Sequence, residues 1–194
     1  FDDGDSPYLS RTFGNTSFSD KKKFTFSCWV KLGNLGANTA STYRCLMSNN
    51  KTSGGAVGIM SLEINGDDKL YGYFHTADGS SDFVSTEVLR DPSAWYHIHF
   101  IFDSANATAS ERGIFYLNGE LAGGSWDLDI KQNFEPEYTA DPSFFVGREG
   151  WGTGYFDGYL AEVYFIDGQA LTPASFCETD STTNQWKPIE YDGS

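Results

Sequence analysis

The sequence predicts an all-β fold, a two-sheet antiparallel β-sandwich. Three observations predict it. Phe, Trp and Tyr together make up 16% of the 194 residues. The 21 glycines cut these aromatic stretches into short segments, the punctuation of strands and hairpins rather than helices. Several segments alternate apolar and polar residues with period two, which turns one strand face toward a core and the other away. This length suits one large all-β domain with a substantial core, assigned here to residues 1–176. Residues 177–194 carry few apolar anchors and read as a C-terminal tail or linker.

The run FTFSCWVK (24–31) opens the series. Phe24, Phe26, Cys28 and Val30 share one face, while Thr25, Ser27, Trp29 and Lys31 share the other. Cys28 therefore reads as a small core residue. Residues 32–55 give two polar loops around a short strand at Tyr43–Met47. GIMSLEI (58–64) and KLYGYFH (69–75) flank Asn65-Gly66-Asp67-Asp68. Asn-Gly between two such runs signals a tight hairpin, because the turn needs positive φ. DGSSD (78–82) is a further turn and FVSTEVL (83–89) a strand.

In WYHIHFIFD (95–103), Tyr96, Ile98, Phe100 and Phe102 face the core and His97 and His99 face away. GIFYLNGEL (113–121) puts Asn118-Gly119 at a second tight hairpin. Residues 122–143 look irregular, anchored by Trp126, Phe134 and Tyr138. FFVGRE (144–149) is a strand, followed by the loop GWGTG (150–154). In YFDGYLAEVYFIDGQAL (155–171), Leu160 and Val163 both read as inward-facing yet lie three apart, which predicts a β-bulge. LTPASF (171–176) supports one helical turn with Thr172 as N-cap and Pro173 at its first position.

The formal net charge is −14, from 13 Lys+Arg against 27 Asp+Glu. Binding to nucleic acid or an anionic membrane draws on a basic surface, so both are excluded as expected partners. No apolar run approaches the roughly 20 residues of a membrane span, and no signal peptide is visible. The chain starts at Phe1 and reads as a fragment of something longer. Cys28, Cys45 and Cys177 are odd in number and form no CxxC pair, so free thiols are expected. Sequons at Asn15, Asn50 and Asn106 carry little weight in a chain this rich in Ser and Thr.

These segments together resemble the laminin-G-like, concanavalin-A-like jelly rolls. FTFSCWVK, WYHIHFIFD, GIFYLNGEL, FFVGRE and YFDGYLAEVYFIDGQAL follow that family's usual order, over about residues 8–176. The wording of YLSRTF, of RDPSAWYHI (90–98) and of FDGYLAEVYFIDGQALTPASFCETD (156–180) resembles jelly-roll domains of bacteriophage virion proteins. The resemblance implies a non-enzymatic structural or adhesion module in a tail fibre, appendage or capsid decoration, at the virion surface or otherwise extracellular. It implies as partners other virion subunits, in a homo-oligomer within the particle, or a host-surface glycan. A cellular carbohydrate-binding module and a glycoside hydrolase with an unrecognised site stand as alternatives.

The family includes β-glucanases, so catalysis needs a test. Retaining enzymes of that kind hold two carboxylates ~5–5.5 Å apart, on a strand reading E-x-D-x-x-E or E-x-D-x-E. No such pattern occurs. The nearest acidic cluster, Glu63 to Asp68, has a turn in its middle, and Asp127 and Asp129 lack a following Glu in register. His97 and His99 share a strand face, but His97 belongs to the family's W-Y-H wording, where a structural hydrogen bond is the simpler role. No cofactor is expected. Related lectin folds carry Ca²⁺ on rim loops, for which Asp67, Asp68, Asp78, Asp82 and Asp157 are the weak candidates. A sugar site pairs an aromatic platform with polar groups. The loop Trp151–Tyr155 and the face carrying Tyr71, Tyr73 and His75 offer that pairing. The glycines around Trp151 give its loop backbone freedom, and three occupants could pack on it: a sugar, a neighbouring subunit or the domain's own edge.

Overall fold

The computed structural model describes residues 1–13, 16–36, 43–50, 55, 57–140, 142–151 and 154–193. In chain order the strands are β1 (Leu9–Arg11), β2 (Lys23–Leu32), β3 (Arg44–Asn49), β4 (Met60–Ile64), β5 (Leu70–Thr76), β6 (Gly79–Ser85) and β7 (Tyr96–Asp103). They continue as β8 (Gly113–Leu117), β9 (Glu120–Leu121), β10 (Gly124–Trp126), β11 (Phe144–Val146), β12 (Gly158–Asp167), β13 (Cys177–Thr179) and β14 (Trp186–Pro188). A seven-stranded sheet has the order β1-β11-β3-β4-β5-β6-β10, and a five-stranded sheet the order β12-β2-β7-β8-β9. All the pairings are antiparallel, as the period-two patterns require.

The core lies between the two sheets. From the five-stranded sheet, Phe24, Phe26, Cys28, Val30, Ile98, Phe100 and Phe102 are buried on one face, as alternation predicts. From the seven-stranded sheet, Met60, Leu62, Ile64, Leu70 and Phe74 meet them. Phe74 stacks on Phe102 at 5.3 Å, and Phe83 on Phe115 at 4.8 Å. Phe134 and Tyr138 close the core beneath the irregular segment, with Trp126 packed against it. Tyr96 is only half-buried, because it begins β7 at the rim and its hydroxyl accepts the Asp91 N–H. The cysteines are free and buried.

The turns divide. Asn118 and Gly119 both take positive φ, 52° and 85°, as a two-residue hairpin demands. At 65–69 the residue with positive φ is instead Asp68, at 59°. Asn65 Oδ1 accepts the N–H groups of Asp67 and Lys69, and this side-chain turn widens the loop. The expected two-residue Asn-Gly turn is therefore corrected. The bulge in β12 falls between Ala161 and Tyr164, with Glu162 at φ 48°. Leu160 packs on the core, but Val163 is 37% exposed, and Phe165 takes the next inward place opposite Phe26. Pro173–Ser175 forms one 3-10 turn after Thr172, whose side chain makes no capping bond.

The segment read from sequence as a tail or linker (177–194) packs onto the sandwich over its described residues, 177–193. β13 pairs with β14. Asp180 ties the connecting turn by accepting the N–H groups of Thr182 and Thr183 and the Lys187 ammonium. The pair lies on the outer face of the five-stranded sheet. There Trp186 reaches His97, and Phe176 lies 5.6 Å from His99. His97 and His99 thus face away from the core, as their register predicts, yet are fully buried. Of the sequons, Asn15 lies outside the described residues, and Asn106 sits in a loop bonded to Glu111 and Thr108.

Candidate functional site

The outer face of the seven-stranded sheet carries the side chains that alternate with the core set. On β5 these are Tyr71, Tyr73 and His75; on β4, Ser61 and Glu63; on β6, Asp82 and Val84. Register sets them side by side, with Glu63 opposite Tyr71, Ser61 opposite Tyr73 and Asp82 opposite Tyr73. The loop after β11 then folds over this face. Ser48 Oγ donates to Arg148 O at 2.9 Å, and Cys45 N–H donates to Gly154 O.

Sheet and loop together enclose a cavity of about 150 Å³. Its walls are aromatic: Tyr43 lies 5.0 Å from Tyr71, and Tyr73 lies 6.0 Å from Trp151. Trp151 is 43% exposed at the mouth. Its floor is polar, made by Ser61, Glu63 and Glu149. The glycines of the loop serve close approach more than freedom. A Cβ at Gly150 would stand 2.5 Å from Asn49 O, and one at Gly154 would stand 2.8 Å from Glu149 Oε1. Gly152 lies outside the described residues.

Glu63 is 2% exposed. Burial raises its carboxyl from the usual range to about 8, and the neighbouring Glu149 adds to the rise. Glu149 is raised as well, chiefly by burial, while its contact with Glu63 favours its ionised form. The two carboxyls lie in hydrogen-bond contact, which raises Glu63 and lowers Glu149. Asp82 is also raised, by burial first and then by Asp127. Burial likewise raises the hydroxyls of Tyr43, Tyr71 and Tyr73. Among the described residues no Lys or Arg pairs with Glu63, Glu149 or Asp82. The nearby Arg148 guanidinium instead lies over the rings of Tyr8, Phe145 and Tyr155.

The structure brings Tyr71, Tyr73 and Trp151 of the expected sugar site together. His75 stands behind them, with Nδ1 2.9 Å from the Tyr73 hydroxyl. Tyr155 lies outside the cavity, under Arg148. Sequence reading missed Tyr43, Ser61 and Glu149 as partners. Hairpin register alone could have placed Glu63 beside Tyr71, but Glu149 arrives from a loop far along the chain.

The five aspartates proposed for Ca²⁺ do not converge. Asp67 is exposed on its turn, Asp68 bonds Arg44 at 2.5 Å, and Asp78 pairs with Lys131. Asp82 lies on the sheet beside Tyr71, and Asp157 accepts from Asn34. Ca²⁺ needs several oxygens around one point, and these side chains do not fit it. Among the described residues no group of three or more His, Cys, Asp or Glu is arranged for a metal.

The family model Laminin_G_3, described as the Concanavalin A-like lectin/glucanases superfamily, matches residues 3–176. No curated protein matches the chain. Among solved structures, the chain is similar to the carbohydrate-binding module CBM40 of a Ruminococcus gnavus sialidase, bound to α2,3-sialyllactose. That match has TM-score 0.56 and 13% identity, covering 87% of this chain and 92% of that one. It is also similar to a heptameric SAP-like pentraxin from Limulus polyphemus, with TM-score 0.51 and 14% identity, covering 85% of this chain and 76% of that one.

Proposed function

The chain belongs to the Concanavalin A-like lectin/glucanases superfamily, and from that premise we propose that it is a non-enzymatic glycan-binding module. The observation that carries this reading is the cavity on the seven-stranded sheet, with Tyr73 and the exposed Trp151 at its mouth. A large ring held open to solvent beside buried polar groups is the arrangement that stacks on one sugar face and bonds its rim. The carboxyls support binding in place of hydrolysis. Glu63 and Glu149 touch, whereas retaining and inverting glycosidases keep theirs ~5–5.5 Å and ~6.5–9.5 Å apart so that substrate or water fits between them.

The wording of YLSRTF, RDPSAWYHI and the closing run supports a bacteriophage virion as its setting, in a tail fibre, appendage or capsid decoration. There the module faces the exterior and engages host-surface glycan or neighbouring virion subunits. A glycan array with the chain and with Trp151→Ala tests the binding. The variant keeps its melting temperature and loses the bound glycans. Binding unchanged by Trp151→Ala, or no binding at all, overturns the site. Release of reducing ends from β-glucan, lost on mutating Glu63 or Glu149, overturns the non-enzymatic reading. A mass spectrum of purified virions lacking the chain removes it from the particle.

A further inference from the structure

We propose that the cavity over Glu63 and Glu149 receives a small organic ammonium group, either the free amine of an amino sugar or a quaternary ammonium. The inference rests on the same cavity as the proposed function and narrows its ligand to a chemical class.

Charge is the first argument. Glu63, Glu149 and Asp82 gather on one sheet face, and among the described residues no Lys or Arg pairs with them. Taken out of water, carboxyls without a cationic partner are costly. The raised Glu63 carboxyl, which favours its neutral form, relieves part of that cost. A cation seated above them relieves the rest, and a carboxylate ligand adds to it.

The rings are the second argument. Tyr43 with Tyr71, and Tyr73 with Trp151, supply four aromatic walls around the carboxyl floor. Aromatic faces carry negative quadrupole charge and attract ammonium centres, Trp most strongly. Rings alone also suit a neutral sugar, but rings over unpaired carboxyls select a positive one.

Ser61 is the third argument. Its Oγ is fully buried and lines the cavity beside the Glu63 carboxyl, toward which its hydroxyl turns, and among the described residues no group donates to it. Buried hydroxyls are almost always bonded. The N–H of a primary ammonium in the cavity gives this oxygen a donor, whereas a quaternary centre rests on the rings and carboxyls alone.

Size completes the case. About 150 Å³ is small against the roughly 300–1,000 Å³ of pockets for drug-sized ligands. The space takes one compact charged group, with the rest of any glycan left outside against Trp151. Specificity then comes from repulsion as well as attraction. The sialylated sugar of the structurally similar module carries a carboxylate, and this cavity refuses it.

Calorimetric titration tests this, using tetramethylammonium chloride, a chitosan trisaccharide with free amines, its fully N-acetylated counterpart and sialyllactose, with sodium chloride as the ionic control. The expected result is binding of tetramethylammonium, the chitosan trisaccharide or both. The N-acetylated and sialylated sugars bind at least about tenfold more weakly, the scale of one desolvated cation–π contact. Glu149→Gln and Trp151→Ala each weaken ammonium binding about tenfold or more, with a cooperative unfolding transition kept in both variants. Chitosan alone identifies an amino sugar, and tetramethylammonium alone a quaternary centre. Trp151-dependent binding of the N-acetylated sugar without ammonium binding overturns the inference and leaves the glycan module standing. Ammonium binding with no glycan bound does the reverse. Ammonium binding indifferent to both substitutions, or absent altogether, overturns the inference.

Discussion

Trp186 Nε1 donates a hydrogen bond to His97 Nδ1 at 3.1 Å, joining the C-terminal segment to the middle strand of the five-stranded sheet. Because Nδ1 accepts, the imidazole proton sits on Nε2, which lies 2.8 Å from Ser27 Oγ. Trp186→Phe keeps a ring over His97 and removes the indole donor to Nδ1. A buried acceptor left unpaired costs about 1–3 kcal/mol, and chemical denaturation should show a loss of that size. A change near zero would mean that the segment does not stay on the sheet in solution.

The same histidines set an acid limit on stability. Burial, with the neighbouring His99, lowers His97 from 6.5 to about 3. Burial lowers His99 to about 4, against a bond to Leu171 O that opposes the shift. Both rings are neutral when folded, and they charge sooner in the unfolded chain. Their contribution is therefore complete above about pH 6.5 and is lost as pH falls toward about 3 to 4. Gln at position 97 can still accept from Trp186 but does not titrate. His97→Gln should give a shallower fall of melting temperature between pH 6.5 and 4. An unchanged slope would assign the acid loss to other groups.

Phe100 stands at the centre of the core, fully buried, 4.6 Å from Phe115, 5.9 Å from Phe74 and 6.0 Å from Phe24. Rings of both sheets surround it, so a void there cannot close by moving one neighbour. Phe100→Ala should destabilise by about 3–5 kcal/mol, read from the denaturation midpoint at constant slope. A loss under about 1 kcal/mol would place Phe100 at a yielding edge of the core.

The sandwich was legible in the sequence where its physics is local. Alternation in FTFSCWVK and WYHIHFIFD assigns Phe26 and Phe100 to the core, and the structure pairs them across β2 and β7. Leu160 and Val163 reveal the bulge because period two fails there, although the spacing cannot tell which of the two stays inside. The candidate site was legible only in halves. Tyr71 and Tyr73 are visible on one strand face and Trp151 between glycines, but nothing local says that Glu149 will lie against Glu63. That contact depends on how the loop after β11 crosses the sheet. The burial of His97 and His99 was hidden for the same reason, since their cover is Trp186 and Phe176.

Glu63 sets the opposite limit, on the alkaline side. Burial, reinforced by Glu149, raises its folded value from 4.5 to about 8. A carboxyl raised on folding stabilises fully below its unfolded value, and that contribution is lost as pH rises through the folded one. The window is about pH 4.5 to 8. The slope there belongs to the Glu63–Glu149 pair, because the two carboxyls are in contact and titrate together. Gln at 63 keeps the shape, donates as the protonated acid does, and cannot ionise. Glu63→Gln should therefore match the parent near pH 5 and exceed its stability increasingly toward pH 8, with denaturation midpoints measured at each half unit. The histidine contribution rises with pH below about 6.5 while the Glu63 contribution falls above about 4.5, so the parent should be most stable between these two values. Its variant should hold that maximum on into the alkaline range. Parent and variant curves that run parallel from pH 5 to 8 would mean that Glu63 ionises normally. The cavity floor would then carry two full charges.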